Sequence, residues 1–526
     1  MQELTVGRLL RLAAESRPQA PALHFDDQTL THGELNAWGN RIGNGLLSLG
    51  LKKGDRLGVM LPNSPLYVAI AYGAAKAGIA LILLNYRFTG SEIAYHLGDA
   101  QARAIVFDPK FDAAVAQARQ QLPALIAISA DATTPQPAAT ATASSQDGAV
   151  TLDSLCAQQS AAEPAVDVRE TDLLVLQYTS GTTGHPKGAI ITHRNRSLAF
   201  LHWPLIFGYT GDDILLHTGP FHHSAPFGMV LCQLCLGGQV VVMPRFDAAE
   251  ALALIERKRV TWSFMVPAMY NSLFKLLGDG GAHHELSSLK RLLSGASPLP
   301  TPVKERILQA FPNAGLFEFY GATEAGTISV LRPEDQRRKQ RCVGKPVFGS
   351  EIKVVDAHGA PVAVGEVSEI LLKTPSLFDG YHNAPEKTAT ALRADGWCTL
   401  GDLGRLDDEG YLYIVDRLKD VIKSGGVNIY PSEIEEAVLT HPDVLEAAVI
   451  GIPDAHWGEA VHAIVTTRSG RPLDAAALLD HCAKRLARYK LPRSVETRAS
   501  LPHSPAGKIL KRELRLDYWQ QAEAKV

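Results

Sequence analysis

Residues 178 to 188 read YTSGTTGHPKG, a run of small residues, hydroxyls and one lysine that follows the apolar stretch DLLVLQY. Such a composition suits an anion. Glycines let backbone N–H groups approach phosphate oxygens, hydroxyls donate further hydrogen bonds, and Lys187 adds positive charge. The best-known phosphate loop has the form G-x-x-x-x-G-K-[ST], in which the hydroxyl beside the lysine reaches Mg2+. Here Pro186 precedes the lysine and Gly188 follows it, so that hydroxyl is missing, and no other segment fits the pattern. The stretch predicts phosphate binding of another kind, against the alternative of a flexible Gly/Thr loop without a ligand.

A second candidate is weaker. Cys232 and Cys235 form a C-x-x-C inside MVLCQLCLGG, but no second pair follows at zinc spacing. Two cysteines on a buried helix are the expected reading. Six cysteines in 526 residues imply no disulfide framework and fit a reducing cytoplasm. With 52 basic against 55 acidic residues and a net charge of −3, the chain lacks the concentrated basic surface of a nucleic-acid binder. The N-terminal MQELTVGRLLRLAAES carries charges where a signal peptide needs an apolar run. The most apolar stretch, Ala69 to Leu84, is interrupted by Gly73, Lys76 and Gly78 and is too short for a transmembrane segment.

These residues need a scaffold. RLGVML (56–61), ARAIVF (102–107), DLLVLQY (172–178) and GQVVVM (238–243) read as buried strands, separated by helical patterns such as ALALIERKR. That alternation predicts an α/β fold with parallel sheet. Ala69 to Leu84 reads as a helix, a turn at Ala77-Gly78 and a strand. The Ala/Thr/Ser/Pro-rich stretch at 131–148 reads as a surface insertion. From about 347 to 415 strands shorten and glycine turns multiply, predicting a β-rich subdomain that closes a large N-terminal domain, 1–418. Residues 419–526 read as a small mobile α+β domain. Within it Ser432 is a plausible N-cap with Glu435 as its capping-box partner.

The loop has company. FYGATEAG (319–326), TLGDLGRLDDEGYLYIVDRLKDVIKSGGVNIYPSEIE (399–435) and SPAGKILKREL (504–514) follow it in order. Together the four stretches resemble the acyl-adenylate-forming superfamily of AMP-binding enzymes, in its acyl-CoA synthetase branch, over essentially the whole chain. The resemblance implies two half-reactions. A carboxylate attacks the α-phosphorus of ATP to give acyl-AMP and pyrophosphate; a thiol then attacks the acyl carbon and AMP leaves.

The resemblance also implies roles. Thr179, Ser180, Gly181, Thr182 and Thr183 would hold the β- and γ-phosphates with Lys187, and Thr323 would add a phosphate-bonding hydroxyl. Glu324 would bind Mg2+, a hard cation that takes one or two carboxylates. Tyr320 would stack on adenine, with Gly295, Ala296, Ser297, Glu318, Phe319 and Gly321 in the flanking nucleotide-binding stretches. Asp402 would accept from the ribose hydroxyls, assisted by Arg417. Lys508 would bridge the carboxylate and the α-phosphate. Taken singly, Glu324 could be a helix cap, Asp402 a turn brace and Lys508 a solvated lysine. For the thioester half, Lys419 occupies a hinge position, and Lys423, Gly425, Gly426 and Trp457 line a tunnel for the pantetheine arm of coenzyme A, Trp457 being equally compatible with plain packing.

The acyl pocket is expected at His223, Gly295 and Gly321. His223, in FHHSAP, would gate the site or orient the carboxylate; capping a helix is its alternative. Amino-acid-activating relatives place an aspartate in this region, and none is present. Acetate-specific relatives place a tryptophan at the Gly321 position, so glycine there predicts an open pocket. Trp203, Phe207, Met229 and Met265 are wall candidates that fit core packing better. The expected activity is an ATP-dependent acyl-CoA ligase for a medium-chain fatty or aryl acid, with loading of an acyl carrier protein as the alternative and a non-catalytic scaffold disfavoured by the intact Lys187, Glu324, Asp402 and Lys508. ATP, Mg2+ and coenzyme A are the expected cofactors; a homodimer is compatible with the sequence.

Overall fold

A computed structural model of the chain describes residues 3–132, 150–179, 186–278, 284–503 and 508–523. The stretch read as an insertion falls almost wholly outside them, as do Ser180, Gly181, Thr182 and Thr183.

Two large sheets carry the N-terminal part. One has seven strands in the order Val150–Thr151, Ile126–Ser129, Ala104–Phe107, Arg56–Met60, Ala80–Leu83, Leu173–Thr179 and Lys187–Thr192. All its pairings are parallel except the last. The other has nine strands, with a parallel centre from Pro21–Phe25 through Gln239–Val242, Ile214–His217, Trp262–Met265 and Arg291–Ser294 to Gly315–Ala322. Antiparallel strands close both of its edges. The alternation of strand and helix read from sequence is therefore present, as mixed α/β sheets.

The helix Pro65–Ala77 is buried at every residue and packs on the helix His32–Ser48. Their backbones nearly touch: a β-carbon at Gly73 would stand 2.5 Å from the Gly39 carbonyl oxygen and 2.7 Å from the Gly43 nitrogen. The helix ends at Gly78, φ 67°, and the strand Ala80–Leu83 follows, as the sequence predicts. Lys76, which interrupts the apolar run, donates to Asn40 and pairs with Glu163 at 2.7 Å. Among the described residues no helix is long and apolar enough to cross a membrane. Cys232 is buried and Cys235 partly buried on the helix Ser224–Cys235, as expected. Trp203, Phe207, Met229 and Met265 are core residues.

A four-stranded antiparallel sheet follows: Glu351–Val355, Ser368–Lys373, Cys398–Leu406 and Leu412–Arg417. The last sheet pairs Val444–Asp454 with Gly458–Thr467, adds the hairpin Ile422–Ser424 and Val427–Ile429, and takes Ser494–Thr497 in parallel. The predicted capping box at Ser432 is not formed. The helix Pro431–Leu439 starts two residues earlier, with Tyr430 at the cap position and no side-chain cap. The Ser432 hydroxyl instead donates to the Val415 carbonyl, and Glu435 accepts from the Val449 N–H and pairs with Lys511 at 2.8 Å. Tertiary partners have outbid the local cap.

Candidate active site

The strand Leu173–Thr179 runs into the phosphate loop, and Lys187–Thr192 returns antiparallel beside it with Thr179 opposite Lys187. The loop thus closes a strand pair instead of opening a helix, which accounts for its departure from the G-K-[ST] pattern. Both ends are anchored by the helix Gly90–Asp99. The Tyr178 hydroxyl donates to Asp99 at 2.5 Å, and the Tyr95 hydroxyl donates to the Pro186 carbonyl at 3.1 Å.

Across from this loop, the strand Gly315–Ala322 from the nine-stranded sheet ends in the turn that carries Thr323 and Glu324. Thr323 is half-buried and Glu324 buried. Oε1 of Glu324 accepts the Tyr381 hydroxyl at 2.9 Å and, more weakly, the Thr179 hydroxyl at 3.4 Å. Among the described residues both bonds fall on one oxygen and none on Oε2, so the carboxylate fits the metal role expected of it. The Lys187 ammonium lies over the Tyr381 ring, 4.9 Å from its centroid. Desolvation and the neighbouring Lys387 lower the Lys187 pKa, against the pull of Glu324. No local spacing marks Tyr381 in the sequence, because its partners are 57 and 194 residues away.

A second cluster surrounds Asp402. The pairing of Cys398–Leu406 with Leu412–Arg417 sets Asp402 opposite Arg417, whose Nε donates to Oδ1 at 3.1 Å. The Tyr320 hydroxyl donates to Oδ2 at 2.5 Å. Tyr320 therefore does more than offer a ring face: it orients the carboxylate expected to take the ribose. A carboxylate has about four acceptor positions, so two ribose hydroxyls still find room. Lys508 keeps exposed surface, but the protein around it strips water from the ammonium. That desolvation, and then the Arg417 charge, push its pKa down to about 8 against the attraction of Asp402 and Glu324. Lys419 is also lowered, chiefly by desolvation. Residues 402, 417, 419, 324 and 508, drawn from three separate stretches, thus share one electrostatic neighbourhood.

Other predicted residues carry different duties. The Glu318 carboxylate is buried against Lys304, with burial raising its pKa to about 7, so only its backbone is available to a nucleotide. Phe319 is buried in the core beside Phe207 and Phe264. The two glycines of the open-pocket argument have close neighbours. A β-carbon at Gly295 would lie 2.6 Å from the Phe319 ring, and one at Gly321 would collide with the Gly326 carbonyl across the strand pair. Both glycines are required by packing, and neither direction faces free space. Ala296 is exposed with φ 66°, a strained conformation for a residue with a side chain; Ser297 beside it is half-buried.

His223 occupies the cap position of Ser224–Cys235 but makes no side-chain cap bond. It is half-exposed, whereas His222 is buried, its ring 5.7 Å from Tyr86 and its pKa lowered to about 3 by burial and by His223. Gln177, two residues before Thr179, donates to the His222 carbonyl at 2.9 Å, tying the histidine pair to the phosphate-loop strand. Beyond Tyr86 lies a cleft of about 540 Å³ with a mixed lining, apolar at Phe111, Val242 and Met243 and charged at Lys110, Arg245 and Asp247 among others.

The thioester residues form a separate patch. Gly425 (φ 58°) and Gly426 (φ 80°) are the two central residues of the hairpin turn, with Ser424 opposite Val427, a turn that needs positive φ at both. The Trp457 ring covers Gly425, where a β-carbon would meet it at 2.6 Å, and Arg493 lies over the same ring. Lys423 points outward and is exposed.

The chain is similar to known proteins along nearly its whole length. The family model for the AMP-binding enzyme matches residues 10–382, and that for the AMP-binding enzyme C-terminal domain matches 433–508. A feruloyl-CoA synthase of Amycolatopsis sp is 36% identical over 510 residues, 95% of this chain and 96% of its own. A long-chain-fatty-acid–CoA ligase of Mycobacterium tuberculosis is 35% identical over 516 residues, 98% of each. A solved anthranilate CoA ligase in complex with anthranoyl-AMP superposes with a TM-score of 0.90 at 26% identity, covering 99% of this chain and 98% of that one. Matched nearly end to end, in motif order and in fold, this chain belongs to the AMP-binding enzyme family.

Proposed function

We propose that the protein is an AMP-forming acyl-CoA ligase that uses ATP and coenzyme A on a medium-chain fatty or aryl acid. The convergence of Lys508, Asp402, Arg417 and Glu324 carries this reading. A carboxylate is a poor acyl donor because expelling oxide is prohibitive; bonding its oxygen to the α-phosphorus turns that oxygen into part of a good leaving group. The first half-reaction crowds negative charge onto phosphorus and calls for cations and N–H donors more than for a base. Lys508 would neutralise the meeting oxygens, Asp402 and Arg417 would hold the ribose, and Lys187 with the loop would hold the departing pyrophosphate. Glu324 would hold Mg2+, which when bound neutralises phosphate charge.

For the second half-reaction, the boundary at 418/419 falls between the four-stranded sheet and the last one. We place the pantetheine arm along Lys423, Gly425, Gly426 and Trp457, and the acyl group beside His223. The names of the relatives point to aromatic acids and to a long-chain fatty acid, which supports an apolar acid larger than acetate. Coenzyme-A-dependent AMP release across a panel of acids tests this reading. Apolar acids larger than acetate should turn over; release with amino acids or acetate alone would remove it. Product mass with coenzyme A or with a loaded carrier protein separates the two acceptors.

A further inference from the structure

Lys187 and Glu324 carry opposite charges and sit around one tyrosine, yet among the described residues no ion pair joins them. Tyr381 engages each by a different part. Its ring face carries the ammonium at 4.9 Å from the centroid, and its hydroxyl donates to the carboxylate at 2.9 Å. The ring cannot swing away. The flanking backbone is laced to the strand behind the phosphate loop: the Ile190 N–H donates to Gly380, the Asp379 N–H to Ile190 and the His382 N–H to Gly188. On the other side the Phe378 N–H donates to the Glu324 carbonyl at 2.7 Å, and the Phe378 ring packs edge-on against Tyr381 at 4.8 Å. The Tyr381 N–H is fixed by the Thr388 hydroxyl at 2.9 Å.

A lysine and a glutamate left to themselves in a partly buried site close on each other, and each is then lost to a ligand. An aromatic face holds a cation without neutralising it, and a phenol hydroxyl holds a carboxylate by one oxygen without removing its charge. We propose that Tyr381 is a positioning residue that keeps Lys187 and Glu324 apart, leaving the ammonium for phosphate oxygens and Oε2 of the carboxylate for the divalent cation. The assignment rests on the reading of Glu324 as the cation's ligand.

The test is ATP binding by calorimetry, without acid or coenzyme A, in the presence and absence of Mg2+. Tyr381→Phe keeps the ring and frees the carboxylate. It should weaken binding in Mg2+ about tenfold, the scale of one hydrogen bond to a charged group, while Mg2+-free binding changes less than about twofold. Tyr381→Leu removes the ring as well, lets the ion pair form and should weaken binding in both conditions. Equal losses for Tyr381→Phe with and without Mg2+, or none in either, would overturn the proposal. Thermal unfolding of Tyr381→Phe, expected to match the parent, separates positioning from misfolding. Glu324→Gln is the control on the underlying reading. If it leaves Mg2+-dependent binding intact, the cation assignment itself fails; if it abolishes that dependence while Tyr381→Phe does not alter it, only the role of Tyr381 fails.

Discussion

The phosphate side of the site, with Thr179, Lys187, Glu324 and Tyr381, sits on strand ends stitched together by backbone hydrogen bonds. The ribose side differs. Asp402 and Arg417 face each other across a strand pair, but Lys508 lies on the segment that carries the His503–Ile509 bridge and leads into the helix Lys511–Glu523. That helix is clamped by side chains: Lys511 to Glu435, and Arg515 to Asp420 and to the Lys419 carbonyl. One side is preorganised by the sheets themselves. The other rides on a helix that is packed on the last sheet through the buried Leu514 and tied to that part of the chain by Lys511–Glu435 and Arg515–Asp420, so it belongs to a different sheet from the first. On the proposed reading, the groups that would hold the nucleotide are on the first side, and the group that one half-reaction would need is on the second.

That contrast is broken most severely at Lys508. Lys508→Ala should lower acyl-AMP formation by about 10²–10³-fold, the scale of losing one preorganised charge donor, while acyl transfer from supplied acyl-AMP to coenzyme A survives. Pyrophosphate exchange and acyl-AMP consumption report the halves separately, and equal losses would unite the two sides. The next effect is on pH. Only the ammonium form of Lys508 serves, and its pKa is pushed down to about 8, so charge is lost as pH rises through that value. In the free enzyme kcat/KM for adenylation should fall toward tenfold per pH unit above about 8. Lys508→Arg, always charged, should be slower but without that alkaline limb; a limb that persists belongs to another group. The smallest effect is at the exposed Lys423. Lys423→Ala should slow thioester formation about fivefold, since an exposed ion contact is worth at most about 1 kcal/mol, and should spare pyrophosphate exchange.

Much of this was legible in the sequence because it is local. The strand Leu173–Thr179, the helix and turn before Ala80–Leu83 and the buried helical cysteines all follow from runs of apolar residues. Motif order identified the family. The rest depended on partners remote in sequence. Gly321 reads as an absent side chain and hence as space, until the strand Gly326–Leu331 is laid against it. Ser432 and Glu435 satisfy the spacing of a capping box, until Val415, Val449 and Lys511 claim them. Tyr320 shows a ring in the sequence, but its hydroxyl has a destination only once Asp402 is folded back 82 residues later. Tyr381 is invisible for the same reason.

Lys76 has a bearing on how the chain is made. Its partner Glu163 lies 87 residues further on, past the segment at 133–149. During synthesis the helices His32–Ser48 and Pro65–Ala77 emerge first and hold an ammonium on their shared apolar seam with only Asn36 and Asn40 to receive it. Burying that seam without Glu163 would leave a desolvated ammonium with no carboxylate among its hydrogen-bond partners, which disfavours it. Closure of this helix pair thereby depends on a residue 87 positions further along the chain.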